Sequence, residues 1–67
     1  MAMLKVIEVL AESNKSWEDA AQVAVTIASK SVRNIQSIYI KNAQASVEKG
    51  KIQTYRINAK ISFLLED

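Results

Sequence analysis

The 67-residue chain has no cysteine, no histidine and no proline, and only one glycine. Without cysteine there is no disulfide, and without cysteine or histidine the usual structural zinc sites have no ligands. A single glycine cannot build a phosphate-cradling loop. Aromatic residues are scarce as well: Trp17, Tyr39, Tyr55 and Phe63 are the whole set. That is a poor stacking platform for nucleic acid, which argues against a nucleic-acid partner. No apolar run is long enough to span a membrane, and Met1-Ala2-Met3-Leu4-Lys5 lacks the apolar core of a signal peptide. The cytoplasm is therefore the expected compartment. Linkers, repeats and low-complexity tracts are missing, so residues 1–67 read as one domain. An enzyme is the least expected outcome, because no carboxylate pair takes the place of the absent histidine and cysteine in an acid/base arrangement.

What the chain does have is apolar surface. Hydrophobic residues make up 49% of a sequence near the lower size limit for a single adequate core. With neither metal nor disulfide to staple it, self-association is the remaining route to stability, and an obligate oligomer is expected. Net charge is only +2, but it is unevenly distributed. Glu8, Glu12, Glu18 and Asp19 outnumber Lys5 and Lys15 in the first part of the chain. From Lys30 to Lys60, seven basic residues (Lys30, Arg33, Lys41, Lys49, Lys51, Arg56 and Lys60) face only Glu48. Such a basic surface could meet phosphate, nucleic acid or the acidic part of a neighbouring subunit.

One helix is expected, beginning at Ser16-Trp17-Glu18-Asp19-Ala20 and continuing through Val32. Ser16 has the side chain of an N-cap, and Asp19 stands where the acid of a capping box would. Glu18 and Asp19 also put negative charge at the positive end of the helix dipole, with Lys30 and Arg33 at the other end. Trp17, Ala20, Ala21, Ala24, Ile27 and Ala28 follow helical spacing and form a face of mostly small residues that a sheet can approach closely. Gln22, Ser29 and Lys30 are the expected solvent positions.

Three strands are expected around it. Leu4 to Glu12 is rich in β-branched residues and loosely alternating. Ile35 to Asn42 is the second strand, with Ile38 and Ile40 as core residues and Ser37, Tyr39 and Lys41 facing away from the helix. Residues Ala43 to Gly50 are expected to form a long connection or extended arm. Lys51 to Leu65 carries the clearest pattern: Tyr55, Ile57, Ala59, Ile61, Phe63 and Leu65 alternate with polar residues, as in a central strand with one buried face. A right-handed crossover makes the first two strands parallel and leaves the third antiparallel between them. The fold class is α+β, with β-α-β-β order and a three-stranded antiparallel sheet wrapped around one helix.

From about Leu4 to Asp67 the sequence resembles the dodecin family. The residues that carry the likeness are Lys5-Val6-Ile7-Glu8-Val9, Ser16-Trp17-Glu18-Asp19-Ala20, Ala28-Ser29-Lys30-Ser31-Val32-Arg33-Asn34-Ile35, Gly50-Lys51-Ile52 and Tyr55 through Phe63. The resemblance implies a hollow homododecamer that binds flavin (riboflavin or FMN). It also singles out the positions that would carry the ligand. Flavin-binding dodecins place a tryptophan where this chain has Ser37, and symmetry-related indoles sandwich paired flavin rings. They tend to place a glutamine where this chain has Arg56, to bond the polar edge of the ring. A hydroxymethyl group cannot stack, and arginine donates but cannot accept.

The cofactor-binding candidates are thus Ser37, Tyr39 and Arg56. Tyr39 shares the parity of Ser37, about 7 Å further along the strand, and could stack with a displaced ligand or pack at a subunit interface. Two functions compete: a flavin-binding or flavin-sequestering oligomer with a degenerate site, and a dodecameric shell serving another anionic ligand of nucleotide or coenzyme A type, or a structural role. Arg56, Lys41 and Lys60 favour an anion. Glu8, Glu18 and Asp19 suggest a hard-cation site only weakly, since their spacing matches no metal-binding loop. Trp17 reads as structural.

Overall fold

The computed structural model describes residues 2–65. Four elements follow in the order β1 (Met3–Ser13), α1 (Trp17–Ala28), β2 (Ile35–Glu48) and β3 (Lys51–Leu65). The sheet order is β1-β3-β2, and β3 pairs antiparallel with both neighbours. The longest strand is central, as its alternation requires.

The core is one face of β3 against one stripe of the helix. Ile57, Ala59 and Ile61 are fully buried and Phe63 nearly so, while the residues between them face the open side of the sheet. From the helix, Ala20, Ala24 and Ala28 are buried against them. Ile7, Val9, Ala21, Val32, Ile35 and Ile38 pack around this centre. Three alanines in helical register keep the helix close to the sheet.

Ser16 caps α1 as expected: it is extended, and its hydroxyl accepts from the Asp19 N–H at 2.9 Å. Asp19 does not close a capping box, however. Its carboxylate instead accepts from the Ser13 hydroxyl at 2.6 Å, tying the helix start to the end of β1. The helix also stops earlier than expected, at Ala28. Ser29, Lys30 and Ser31 turn through short backbone bonds onto Val25, Ile27 and Ala28, so Lys30 and Arg33 lie beyond the last turn. Ile27 stands 60% exposed at the β1 side of the helix and does not belong to the buried stripe.

The β2–β3 pairing has three irregularities, two of which displace residues of β2 while the third skips Gln53 of β3. Extra residues at Gln36 and Lys41 shift the register against β3, and each such bulge changes which face the next side chain takes. Ile35 consequently pairs with Phe63 and packs on the core, although simple alternation puts it with Ser37 and Tyr39. Ile38 lies opposite Ile61 and joins the core, whereas Ile40, opposite Ala59, remains 44% exposed.

The long connection expected at Ala43 to Gly50 is strand. Asn42 to Glu48 continues to pair with β3 as far as Lys51, and the reversal takes only Lys49 and Gly50. Both have positive φ, 53° and 76°, the signature of the tight hairpin turn whose twist matches its strands. Alanine, serine and glutamine at 43–46 read as loop by composition, yet a ladder on one side is enough to hold them extended. The molecule is 52 Å long, whereas a 12-residue helix covers only about 18 Å. The β2–β3 hairpin thus runs on well past the helix, and the extended arm exists as a paired ribbon.

Two local features generate a stability prediction. Ser16→Ala should lower unfolding free energy by about 1 kcal/mol through loss of the cap. Lys49→Asn should raise it by up to about 1 kcal/mol, because asparagine tolerates the left-handed region better than lysine. Denaturant midpoints at one fixed protein concentration check both; equal midpoints for all three proteins would contradict the turn and cap assignments.

Candidate functional site on the open face of the sheet

The face of the sheet turned away from α1 carries the chain's polar groups in cross-strand rows. Counting along β3, Ser62 lies beside Ser37, Lys60 beside Tyr39, Asn58 beside Asn42, and Arg56 beside Gln44. From β1, Val6, Glu8, Leu10 and Glu12 complete the same four rows. Ser37, Tyr39 and Lys41 do face away from the helix, as their expected role requires.

Ser37 is hydrogen-bonded to Ser62 through their hydroxyls. The position that would carry a stacking indole therefore holds a small, mutually satisfied polar pair. Tyr39 is 64% exposed, with no ring partner within its own protomer among the described residues. Its cross-strand neighbour is the exposed Lys60, so an aromatic face and an ammonium group stand side by side.

Arg56 is not next to them. Arg56 lies four positions before Lys60 on β3, about 13 Å along the strand. Its guanidinium is held by Glu12 of β1, with Nε donating to Oε1 at 2.6 Å and one Nη closing a second contact on the same oxygen. The arrangement expected from sequence, Tyr39 flanked by Arg56, does not occur within one protomer. A ligand touching both would have to span that distance or draw on a second copy.

The basic surface inferred from the sequence is balanced in space at two of its seven residues. Lys41 reaches over β3 to Glu8, with Nζ 3.6 Å from Oε2, and Arg56 is matched by Glu12. The acidic residues come from β1, distant in sequence but adjacent in the sheet through β3. Between the two ion pairs, Asn58 Oδ1 is shielded from solvent and has no hydrogen-bond partner. Sequence reasoning gave Asn58 no role; a polar residue at the middle of a central strand was the available signal.

Trp17 is structural, as expected. Its indole N–H donates to the Gln44 carbonyl at 2.9 Å, and its ring meets Tyr55 edge-on with centroids 4.8 Å apart. It fastens the start of the helix to the hairpin. Glu18 does not join Glu8 in a cation site: among the described residues, no three acidic side chains come together in a way that could hold a metal ion. Nor is any helix among them long and apolar enough to cross a membrane.

Comparison with known proteins places this geometry. The family model described as Dodecin matches residues 3–66. The chain belongs to the dodecin family. It is 36% identical over 63 residues to the calcium dodecin of Mycobacterium tuberculosis, covering 94% of this chain and 89% of that protein. A crystal structure of that calcium dodecin, described as calcium-chelating with a novel calcium-binding site, superposes with a TM-score of 0.81 at 38% identity, over 96% of this chain and 91% of the other. The dodecin of Streptomyces coelicolor superposes at 0.93 with 26% identity, over 98% and 94%. A tryptophan-to-phenylalanine mutant of Thermus thermophilus dodecin superposes at 0.94 over the full length of both chains, where 22% identity makes the likeness one of fold. The expected fold thus stands, as does the family named from sequence. Of the 1–67 domain, residues 1, 66 and 67 lie outside the described part.

The two ion pairs of this dodecin sheet are exposed, with side chains 40–49% accessible, so they stabilise little. Arg56→Gln should change unfolding free energy by less than about 1 kcal/mol. Trp17→Ala should cost about 2 kcal/mol, below the usual figure for a fully buried indole because this one is partly exposed. Chemical denaturation of the two variants checks the ranking, and a larger loss for Arg56→Gln would reverse it.

Proposed function

We propose that this dodecin is a non-catalytic, homo-oligomeric small-ligand-binding protein, assembled as a hollow homododecamer, which does not hold riboflavin or FMN by the paired-ring sandwich of the family. The Ser37–Ser62 hydroxyl pair carries this reading. It fills the stacking position with a group that offers no aromatic face. Arg56, at the position of the usual glutamine, is engaged with Glu12 and lacks an acceptor for a ring N–H. The proposed site comprises Ser37, Tyr39 and Arg56, with Lys60 beside Tyr39.

The geometry fits an anionic ligand with a planar ring better than it fits a bare flavin ring. Tyr39 can stack, and Lys60 can meet a phosphate or carboxylate. Arg56 from a second copy can add a donor fork, provided the ligand competes with Glu12. A nucleotide has that combination of groups. The shell would then be kept and the ligand exchanged.

Calcium is the second reading, suggested by the relative named calcium dodecin. Hard cations take six to eight oxygen ligands. One protomer gathers no such set among its described residues, so a calcium site would draw carboxylates from several copies. Glu18, exposed in the first helical turn, is the available contributor.

The deciding experiment is a titration of FMN, riboflavin and AMP against the purified oligomer, with calcium run separately by calorimetry. Riboflavin fluorescence should stay nearly unquenched at micromolar protein, and Ser37→Trp combined with Arg56→Gln should bring quenching back. Strong riboflavin quenching by the parent protein would overturn the proposal; Tyr39→Ala would then show whether that ring supplies the stack.

A further inference from the structure

The open face carries one polar group that the fold does not account for. Asn58 stands at the middle of β3, half-buried, with its Oδ1 shielded from solvent and without a hydrogen-bond partner. Across from it, Leu10 of β1 has nothing to donate, and Asn42 of β2 does not bond it. Asparagine is depleted in strands, and a shielded acceptor left unpaired costs stability. Neither propensity nor bonding within the protomer explains the residue, and such a group in a native structure calls for another account.

Its place on the sheet supplies one. Along β3 the open face reads Arg56, Asn58, Lys60, each about 7 Å from the next. Lys60 lies opposite Tyr39, so Asn58 is the diagonal neighbour of that aromatic residue, about 7–8 Å away. A planar ring lying on Tyr39 would bring its edge toward Asn58. The two groups that favour an anion can only donate, Lys60 through its ammonium and Arg56 through its guanidinium. Asn58 alone of the three has both a donor and an acceptor. No hydrogen bond holds its oxygen inward, and the terminal torsion of asparagine is soft. Turning the amide toward a ligand therefore forfeits no bond at that oxygen and gains one.

We infer that Asn58 is a specificity-determining residue of the proposed anion site. Its amide turns outward to meet a ring edge that pairs an N–H donor with an acceptor, Oδ1 accepting and Nδ2 donating. An aminopurine has such an edge, and asparagine meets adenine by this pairing. The inference rests on the nucleotide reading above and deepens it: Tyr39 and Lys60 select a ring and an anion, and Asn58 selects among rings.

The choice is measured by calorimetric titration of the assembled protein with AMP and with purine riboside monophosphate, which keeps ring and phosphate but lacks the amino group. AMP should bind roughly tenfold more tightly, because the analogue leaves the amide oxygen unpaired. Asn58→Leu should weaken AMP roughly tenfold and leave the analogue nearly unchanged, so that the preference disappears. Without ligand, the same variant should keep its assembled mass by light scattering and unfold at an equal or higher denaturant midpoint, since it removes an unpaired acceptor. A lower midpoint or a loss of mass would mean that the amide is bonded in the fold or by a neighbouring copy, and would overturn the inference. Equal affinities of the parent for the two nucleotides, or a preference that survives in Asn58→Leu, would overturn it as well. A parent that binds neither nucleotide would bring down the nucleotide reading and this inference together, whereas binding without preference removes only the role of Asn58.

Discussion

Everything in this molecule depends on one strand being apolar on one side only. Ile57, Ala59, Ile61 and Phe63 bury one face of β3 against Ala20, Ala24 and Ala28, and the residues between them have no choice but to form the open face. The period of two along a strand makes the division strict: a slip of one residue would drive Arg56, Asn58 and Lys60 into the helix. Alanine on the helix matters as much as isoleucine on the strand. Larger side chains there would lift α1 off the sheet and uncover the pair of isoleucines that are the largest fully buried groups. With so thin a core, the remaining apolar residues are left at the surface, on β1, at Ile27 and at the hairpin end.

Those exposed residues are the physical support for the proposed assembly. A 67-residue domain without disulfide or metal has little surplus stability. In the proposed assembly, burial between copies would supply what the single core cannot, and covering β1 and β2 would remove two free backbone ladders that invite uncontrolled pairing. The bulges at Gln36 and Lys41 act in the same sense on β2, since an irregular edge is a poor template.

The parts of the fold legible in the sequence were those set by local chemistry. Ser16 as N-cap, the alanine stripe, and β3 as a central alternating strand each follow from short-range rules. So does the strand order, because a crossover of one hand leaves a single place for β3. What was not legible came from pairing. The Ala43 to Glu48 segment has no strand propensity to speak of, and its β3 partner holds it extended. Two bulges in β2 reversed the faces of Ile35 and its neighbours, and nothing in the composition of Gln36 or Lys41 announces them. At the site, Ser37 and Tyr39 were placed on the correct face, but the isolation of Arg56 depended on distance along β3. The pairing of Lys41 and Arg56 with glutamates depended on β1 lying next to β3, a tertiary fact.

Arg56 shows how the two levels combine. Taken alone, arginine at a position where relatives tend to have glutamine suggests a new anionic ligand. In the sheet it already has an anion, Glu12, directly across on β1. The pair is solvent-exposed and contributes little to stability, so a ligand carboxylate or phosphate could displace Glu12 at small energetic cost. On the proposed anion-binding reading, the glutamate would act as a placeholder that keeps the guanidinium satisfied. Specificity follows from the competition. A neutral ring cannot displace Glu12, whereas a phosphate offering two acceptors to the guanidinium fork can. On that reading Ser37 withholds the stacking surface and Arg56 supplies an anion seat held by Glu12, so both positions would shift selection in one direction, from the aromatic face of a ligand toward its charge.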